Sequence, residues 1–348
     1  MSVAQPKGIG LVHEALCYDD EQDYARGIVR FLRDGFALAE PALVAVPGSR
    51  IDLLRWALGA AAQRVRFVDM ADVGRNPGRI IPTVYAFTRE YPVGRVRIVS
   101  ESIWPGRSAA EYRAALQHEA LVNITLADRK ATILCLYDRQ RLGAVALADA
   151  RRTHPVLVEG ELCKDSADYG DPRAVAAASL RSLPDPPQWW GDMLVFSCWA
   201  DLPAIRQFVE GLALRAGLGP QPVSDLCRAV HEVATNTLVH TNSGGVLSLW
   251  QDPDDCSVIC QIVDSGQLTD WSVGRIPPAP GKPHGRGLIL VHELCDLVEM
   301  PTGQIGTGTT VRLHMQLGAP ASRPARPSPG RSACLTPGTG CGVPERSN

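Results

Sequence analysis

Two rhythms of apolar residues run along the chain, and they change near residue 190. Before it, short β-branched runs alternate with longer segments of helical period. The runs are "PALVAVP" (41–47), "RVRFVDM" (64–70), "RVRIVSE" (95–101) and "ATILCLYD" (131–138); "SRIDLLRWALGAA" (49–61, with Ser49 as N-cap) and "AAEYRAALQHEALVNI" (109–124) read as helices. Strand-sized runs alternating with helices predict an α/β domain with a mostly parallel sheet over residues 1–162. Residues 163–190 are rich in Pro, Asp and Ser, and "PDPP" continues neither helix nor strand, so they read as a linker, with "RAVAAASLRS" a short helix within it. After it the order changes. "MLVFSCWA" is a strand, Asp201 caps a helix (202–218), and Ser224 caps a second helix. Two strands flank the turn "DPDD", and then come a Gly/Pro loop, the helix "GLILVHELCDLVEM" and the strand "GTTVRLHMQL". This is an α+β order, predicted over residues 191–317. Residues 318–348 are dominated by Pro, Gly, Arg and Ser and predict a disordered tail.

Composition narrows the function classes. The 348 residues are 45% hydrophobic and 21% charged with a formal net charge of −2, so no electrostatic footprint for nucleic acid exists. There is no apolar run of membrane-spanning length and no signal-like start, so the expected site of action is cytoplasmic, away from membranes. Ten cysteines lack any C-x-x-C pair and mostly sit in apolar runs, which favours structural free thiols; Cys256 and Cys260 are expected on one face of a strand.

"HEVATNTLVH" (231–240) changes the picture. Leu226, Ala229, Val230, Val233 and Thr237 make an apolar stripe, while Arg228, Glu232, Asn236 and His240 form a separate line at four-residue steps. That line is either a solvated face with a Glu–Arg pair or a set of groups aimed at a ligand. Three glycine turns follow downstream. "VDSG" puts Asp264 at a strand end before Gly266. "HGRGL" runs into a helix, and the amides of Gly285 and Gly287 with the helix N-terminus can approach a phosphate. "GTGTTV" holds Gly306, Gly308, Thr309 and Thr310. Each alone is an ordinary turn.

Taken together, E-x-x-x-N, D-x-G, G-x-G-L and G-T-x-V resemble the ATPase domain shared by histidine kinases, gyrase, Hsp90 and MutL, an α+β sandwich of the Bergerat type. The resemblance covers most of residues 193–315. It implies ATP and Mg²⁺ as cofactors, Asn236 as the Mg²⁺ ligand and Glu232 as the general base. It also implies that Asp264 receives the adenine amino group, that Gly266 lets the base approach, and that Gly285 and Gly287 carry the lid hinge and phosphate contact. Arg286 is then a candidate for the γ-phosphate, and Thr310 for a hydrogen bond near the adenine. The lid, about 267–284, is short, and "LCRAVHEVATNTLVHT" with "GRGLILVHELCD" looks like the anti-sigma-factor serine kinases. That branch implies binding to a sigma factor and phosphorylation of a Ser or Thr on an antagonist protein, with a homodimer suggested by analogy. A nucleotide-dependent binding module without phosphotransfer, and a histidine-kinase-type signalling protein, stay open as alternatives.

The first domain, through "GLVHEALCYDDEQDYARGIVRFL", "SESIWPGRSAAEYRAALQHEALVNI" and "RRTHPVL", resembles the MEDS sensory domain over about residues 9–160. This implies sensing of a small molecule or partner, with His13, Cys17, Tyr18, Glu101, Trp104 and His118 as candidate contacts. "VAVPGSRIDLL" lacks a G-K-[ST] ending, so no phosphate site is expected there.

Overall fold

A computed structural model describes residues 10–318, apart from 161, 182, 187–191, 242, 279–284, 304–305 and 307. The expected tail, beyond Gly318, lies outside the described residues, as does the end of the expected lid.

The first domain is built from β1 (Val12–Tyr18), α1 (Glu21–Ala37), β2 (Ala42–Val46), α2 (Gly48–Leu58), β3 (Val65–Asp69), α3 (Met70–Val73), α4 (Ile80–Glu90), β4 (Val96–Ser100), α5 (Ala109–Thr125), β5 (Ala131–Asp138), α6 (Ala144–Thr153), β6 (Val156–Glu159), β7 (Leu162–Asp165) and α7 (Pro172–Ser179). Its sheet runs β3-β2-β4-β5-β1-β6-β7, with all neighbours parallel except β6 and β7. Alternation along the strands divides the core. Ile133, Cys135 and Tyr137 of β5 face the layer of α4, α5, α6 and α7, whereas Leu134 and Leu136 face α1 and α2. Both faces are covered, so the strands read as continuous apolar runs.

The expected linker is shorter than its composition suggests. β7 pairs with β6, and α7 buries Val175 and Ala176 in the first core, so both belong to the first domain. Three N-caps also differ. The Asp201 carboxylate accepts the Ser197 and Cys198 N–H groups at 2.8 and 3.0 Å instead of capping the helix from Leu202. Asp69 receives the Gly48 N–H at 2.8 Å, so α2 starts at Gly48 rather than after Ser49. In the second domain the long helix starts at Pro220 rather than after Ser224, because Pro fits a first turn that needs no N–H donor.

The second domain contains β8 (Met193–Phe196), α8 (Leu202–Arg215), α9 (Pro220–His240), β9 (Gly245–Asp252), β10 (Ser257–Asp264), α10 (Gly287–Leu294), β11 (Leu297–Glu299) and β12 (Thr309–Gln316). The sheet order is β11-β12-β10-β9-β8, antiparallel throughout. One face packs on α8, α9 and α10 through Val209, Leu226, Val230, Leu247, Ile262 and Leu313. The expected helix over 287–300 stops at Leu294, and its end becomes β11 instead, pairing with β12. Cys256 lies in the turn with φ 48°, outside β10, while Cys260 is buried in it, so they do not share a strand face. The eight described cysteines are free, four of them buried. No described helix is long and apolar enough to cross a membrane.

Candidate nucleotide site and its contacts with the first domain

The apolar stripe of α9 is buried, and Glu232 and Asn236 sit half-buried on the neighbouring line. Arg228 pairs with Asp225 at 3.8 Å rather than with Glu232, and among the described residues no cation pairs with Glu232. Its carboxylate turns toward the start of α10: a Cβ on Gly287 would lie 2.6 Å from Glu232 Oε2 and 3.8 Å from Asn236 Nδ2. A side chain at 287 would fill the space that glycine leaves between helix start and carboxylate. Gly285 has φ 101°, a backbone state open to glycine at little cost. Arg286, just before α10, is exposed.

Asp264 ends β10 and is held on both oxygens. Oδ1 accepts the Gly266 N–H at 2.8 Å, and Oδ2 accepts the Thr237 hydroxyl at 2.6 Å. In the sequence Thr237 is one more member of the apolar stripe, and its lone hydroxyl there is the signal that marks this role. The β10–β12 register sets Thr309 opposite Asp264 and Thr310 opposite Val263. Facing pairs share a side, so the hydroxyl on the Asp264 side belongs to Thr309, not to the expected Thr310. A Cβ on Gly266 would meet Asp264 Oδ1 at 2.9 Å and Thr309 Oγ1 at 3.5 Å. Gly308, at φ 77°, passes so near Asp264 that a Cβ would lie 2.3 Å from its carbonyl oxygen. Gly306 is exposed with φ 83°. His240 is exposed at the helix end and joins none of these groups. A cavity of about 480 Å³ lies beside this strand end, lined by Val195, Val246 and Val263 with Asp264 and Gly308. The three valines are in register and face away from α9, so this cavity is on the outer side of the sheet, not between Asp264 and the helix.

The first domain grips the same region from two sides. Arg79 Nε donates to His292 O at 2.7 Å, and its Nη2 donates to Glu293 O and Cys295 O at 2.8 and 2.9 Å. Asn76 Nδ2 donates to His292 O at 2.9 Å. These are the carbonyls that a helix end leaves without intrahelical partners, and a cation is favoured there. The loop after Gly266 is held as well. Trp271 and Ile276 pack on the first domain's core, and Arg275 Nη2 donates to Gln117 Oε1 at 2.7 Å while Gln117 Nε2 donates to Met300 O at 3.1 Å. Arg113 pairs with Glu299 at 2.8 Å, and His314 holds the other oxygen of Glu299 at 3.0 Å. Burial opposes charge on Glu299, but His314 and Arg113 outweigh it and hold the carboxyl below its ordinary range.

Each half matches a known domain family. Residues 12–155 match MEDS, the methanogen/methylotroph, DcmR sensory domain. Residues 198–315 match the histidine kinase-like ATPase domain. The chain joins a MEDS domain to a histidine kinase-like ATPase domain. No curated protein matches it. The ATPase match contains every residue of the constellation from Glu232 to Thr310.

In the MEDS domain the expected contacts separate into distinct settings. Glu101 is 3% exposed and accepts hydrogen bonds from the Tyr18 and Tyr24 hydroxyls, both at 3.1 Å; burial raises its carboxyl pKa despite them. It sits just past the end of β4, beside β2. The chain leaves these two strands in opposite directions, so this is a switch point, where open α/β sheets offer a crevice. Trp104 lies under the Arg107 guanidinium at 3.5 Å, and Cys17 is half-buried. His118 is buried, which lowers its pKa to about 4, and its Nδ1 has no hydrogen-bond partner. His13 is also buried, with burial and His154 alongside lowering it to about 4. Its neighbours are residues that the sequence pattern did not single out: Glu119, Cys135 and His154.

Proposed function

We propose that the protein is an ATP-dependent anti-sigma regulator of the serine-kinase type, with the MEDS domain controlling the output. The observation that carries the nucleotide reading is the doubly held Asp264, with one oxygen tied to Thr237 and the other to the Gly266 amide. A carboxylate fixed in this way can accept a hydrogen bond from an exocyclic amine, and Gly266 keeps the approach clear. On the same helix, Asn236 directly precedes Thr237, and Glu232 lies one turn earlier with the glycine start of α10 beside it. Mg²⁺ bound with the triphosphate would offset its charge, with the Asn236 side-chain oxygen as the protein's contribution. Glu232 accepts the proton of a Ser or Thr hydroxyl as its oxygen takes the γ-phosphoryl group and ADP leaves. The acceptor is an antagonist protein, and the protein held back is a sigma factor.

What favours control by the MEDS domain is the state of the lid. Arg275 is 3% exposed, and its charge is held by a neutral amide; burial lowers its pKa to about 10, and among the described residues no carboxylate pairs with it. A buried cation without a counter-charge is costly, so this contact can be released. A change in α5 therefore reaches the lid directly through Gln117.

Incubation of the full chain with labelled ATP and candidate antagonist proteins tests the proposal. The expected result is phosphate on Ser or Thr of one antagonist, with Asn236→Ala losing Mg²⁺-dependent ATP binding while its circular dichroism stays native. Nucleotide-dependent partner binding without transfer would leave a binding module in place of a kinase. Acid-labile phosphohistidine on the protein itself would replace the reading altogether.

A further inference from the structure

We propose that the MEDS domain holds a divalent transition-metal ion of zinc type in a site formed by His13, Glu119, Cys135 and His154. The four residues come from β1, α5, β5 and the residue after α6, all are buried, and one ligand atom from each lies within 4.8 Å of the others. His13 Nε2 is 3.4 Å from Glu119 Oε2 and 3.3 Å from Cys135 Sγ, and His154 Nε2 is 3.3 Å from the same Glu119 oxygen. A tetrahedral zinc site with its usual bond lengths separates neighbouring ligand atoms by about 3.3–3.6 Å.

The surrounding hydrogen bonds set which atoms face the centre. Asn123 Nδ2 donates to Glu119 O at 3.2 Å and Thr153 O at 2.8 Å, so its oxygen faces His13 Nδ1 at 3.1 Å and makes that nitrogen a donor. His154 Nδ1 lies 2.9 Å from Ala150 O, an acceptor, and is therefore a donor too. In their neutral form both rings then turn a bare Nε2 lone pair inward, the tautomer a metal requires. The second Glu119 oxygen accepts the Ser102 hydroxyl. What remains is a set of acceptors facing one another, with only the Cys135 thiol able to supply a proton. Glu119 Oε2 and His154 Nε2, fully buried, lie 3.3 Å apart without the geometry of a hydrogen bond. Each unsatisfied buried group of this sort is costly, and a cation satisfies all of them together.

The charge also balances. Two neutral imidazoles, one carboxylate and one thiolate neutralise a divalent ion, and the Cys135 thiol proton leaves to solvent as the Zn–S bond forms. Asn123, Ser102 and the Ala150 carbonyl act as the outer hydrogen-bonding partners that metal ligands usually have. The mixed N₂OS set favours zinc over magnesium or calcium, which prefer oxygen alone. Glu119 is two residues from Gln117 on α5, so the metal site and the lid contact share one helix.

The test uses the full chain, stripped with a chelator and titrated with Zn²⁺ against a chromophoric competitor, then with Co²⁺. The expected result is about one equivalent bound per chain, and a thiolate-to-cobalt charge-transfer band that disappears in Cys135→Ser. Asn123→Ala should weaken Zn²⁺ binding by roughly 10–100-fold. If folded wild-type protein takes up no Zn²⁺, or takes it up without a cobalt–thiolate band, the proposal fails whatever the variants do. Undiminished stoichiometric binding by a folded Cys135→Ser, His154→Ala double variant would also overturn it. None of these readouts depends on nucleotide or kinase activity.

Discussion

The two polar centres of this protein are built in opposite ways. In the ATPase half, the groups sit half-buried along one helix and at three glycine turns, each within a few residues of a recognisable motif. In the MEDS half, His13, Glu119, Cys135 and His154 come from segments spread over more than a hundred residues and meet in a fully buried place. A site that must admit a large, charged nucleotide needs backbone amides and missing side chains, and these are written locally as glycines at fixed spacing. A site that encloses a small group needs only side chains converging from the core. Such convergence leaves no local mark, since each residue looks like an ordinary member of its own strand or helix.

The contrast can be tested from its strongest point downward. Glu232→Gln keeps the shape of the site and removes the proposed base, so phosphoryl transfer should slow by roughly 10²–10⁴-fold with nucleotide affinity retained. Turnover equal to wild type in a single-turnover assay would take Glu232 out of the chemistry. Thr237→Val removes the donor to Asp264 Oδ2 without changing volume. A hydrogen bond to a charged group is worth about 1.5–3 kcal/mol, so nucleotide Kd should rise by about 10–100-fold in calorimetry. Unchanged affinity would mean that Asp264 needs no such support.

Gln117→Ala leaves Arg275 and the Met300 carbonyl without their shared partner. Thermal unfolding should show a loss of about 1–3 kcal/mol, together with faster proteolysis of the loop after Gly266. Protection equal to wild type would show that Trp271 and Ile276 hold the lid alone. The smallest effect concerns pH. The folded carboxyl of Glu299 titrates below its unfolded value, so its link to Arg113 and His314 stabilises the protein fully above the unfolded carboxylate range. That contribution fades as pH falls through the lower folded value. Glu299→Gln should therefore flatten the acid limb of the stability profile, and an unchanged limb would assign the acid sensitivity elsewhere.

Much of the architecture was legible. The four β-branched runs became β2 to β5, and the stripe from Leu226 to Thr237 is buried as its period requires. The misreadings share a cause. "GLILVHELCDLVEM" was read as one helix because a short apolar run fits either period; β12 captured its end as β11, through bonds to residues 312–314 that no local pattern announces. The segment after residue 162 looked like a linker because Pro and Asp dominate it, yet a few small apolar residues in α7 suffice to dock it on α5. Thr309 and Thr310 are both expected at the site, with the hydrogen bond near the adenine on Thr310, and only strand pairing decides that Thr309 is the one facing Asp264.

By itself, then, the order of residues determined the two fold classes, the helix that carries Glu232 and Asn236, and the glycines that keep its surroundings open, because periodicity and backbone freedom are local properties. The tertiary structure alone decided that Thr237 holds Asp264, that Gln117 holds Arg275 in the loop after Gly266, and that two histidines, a glutamate and a cysteine share one buried centre. Those depend on which strands lie side by side and on which groups are left facing one another without water, and both are set by packing between distant parts of the chain.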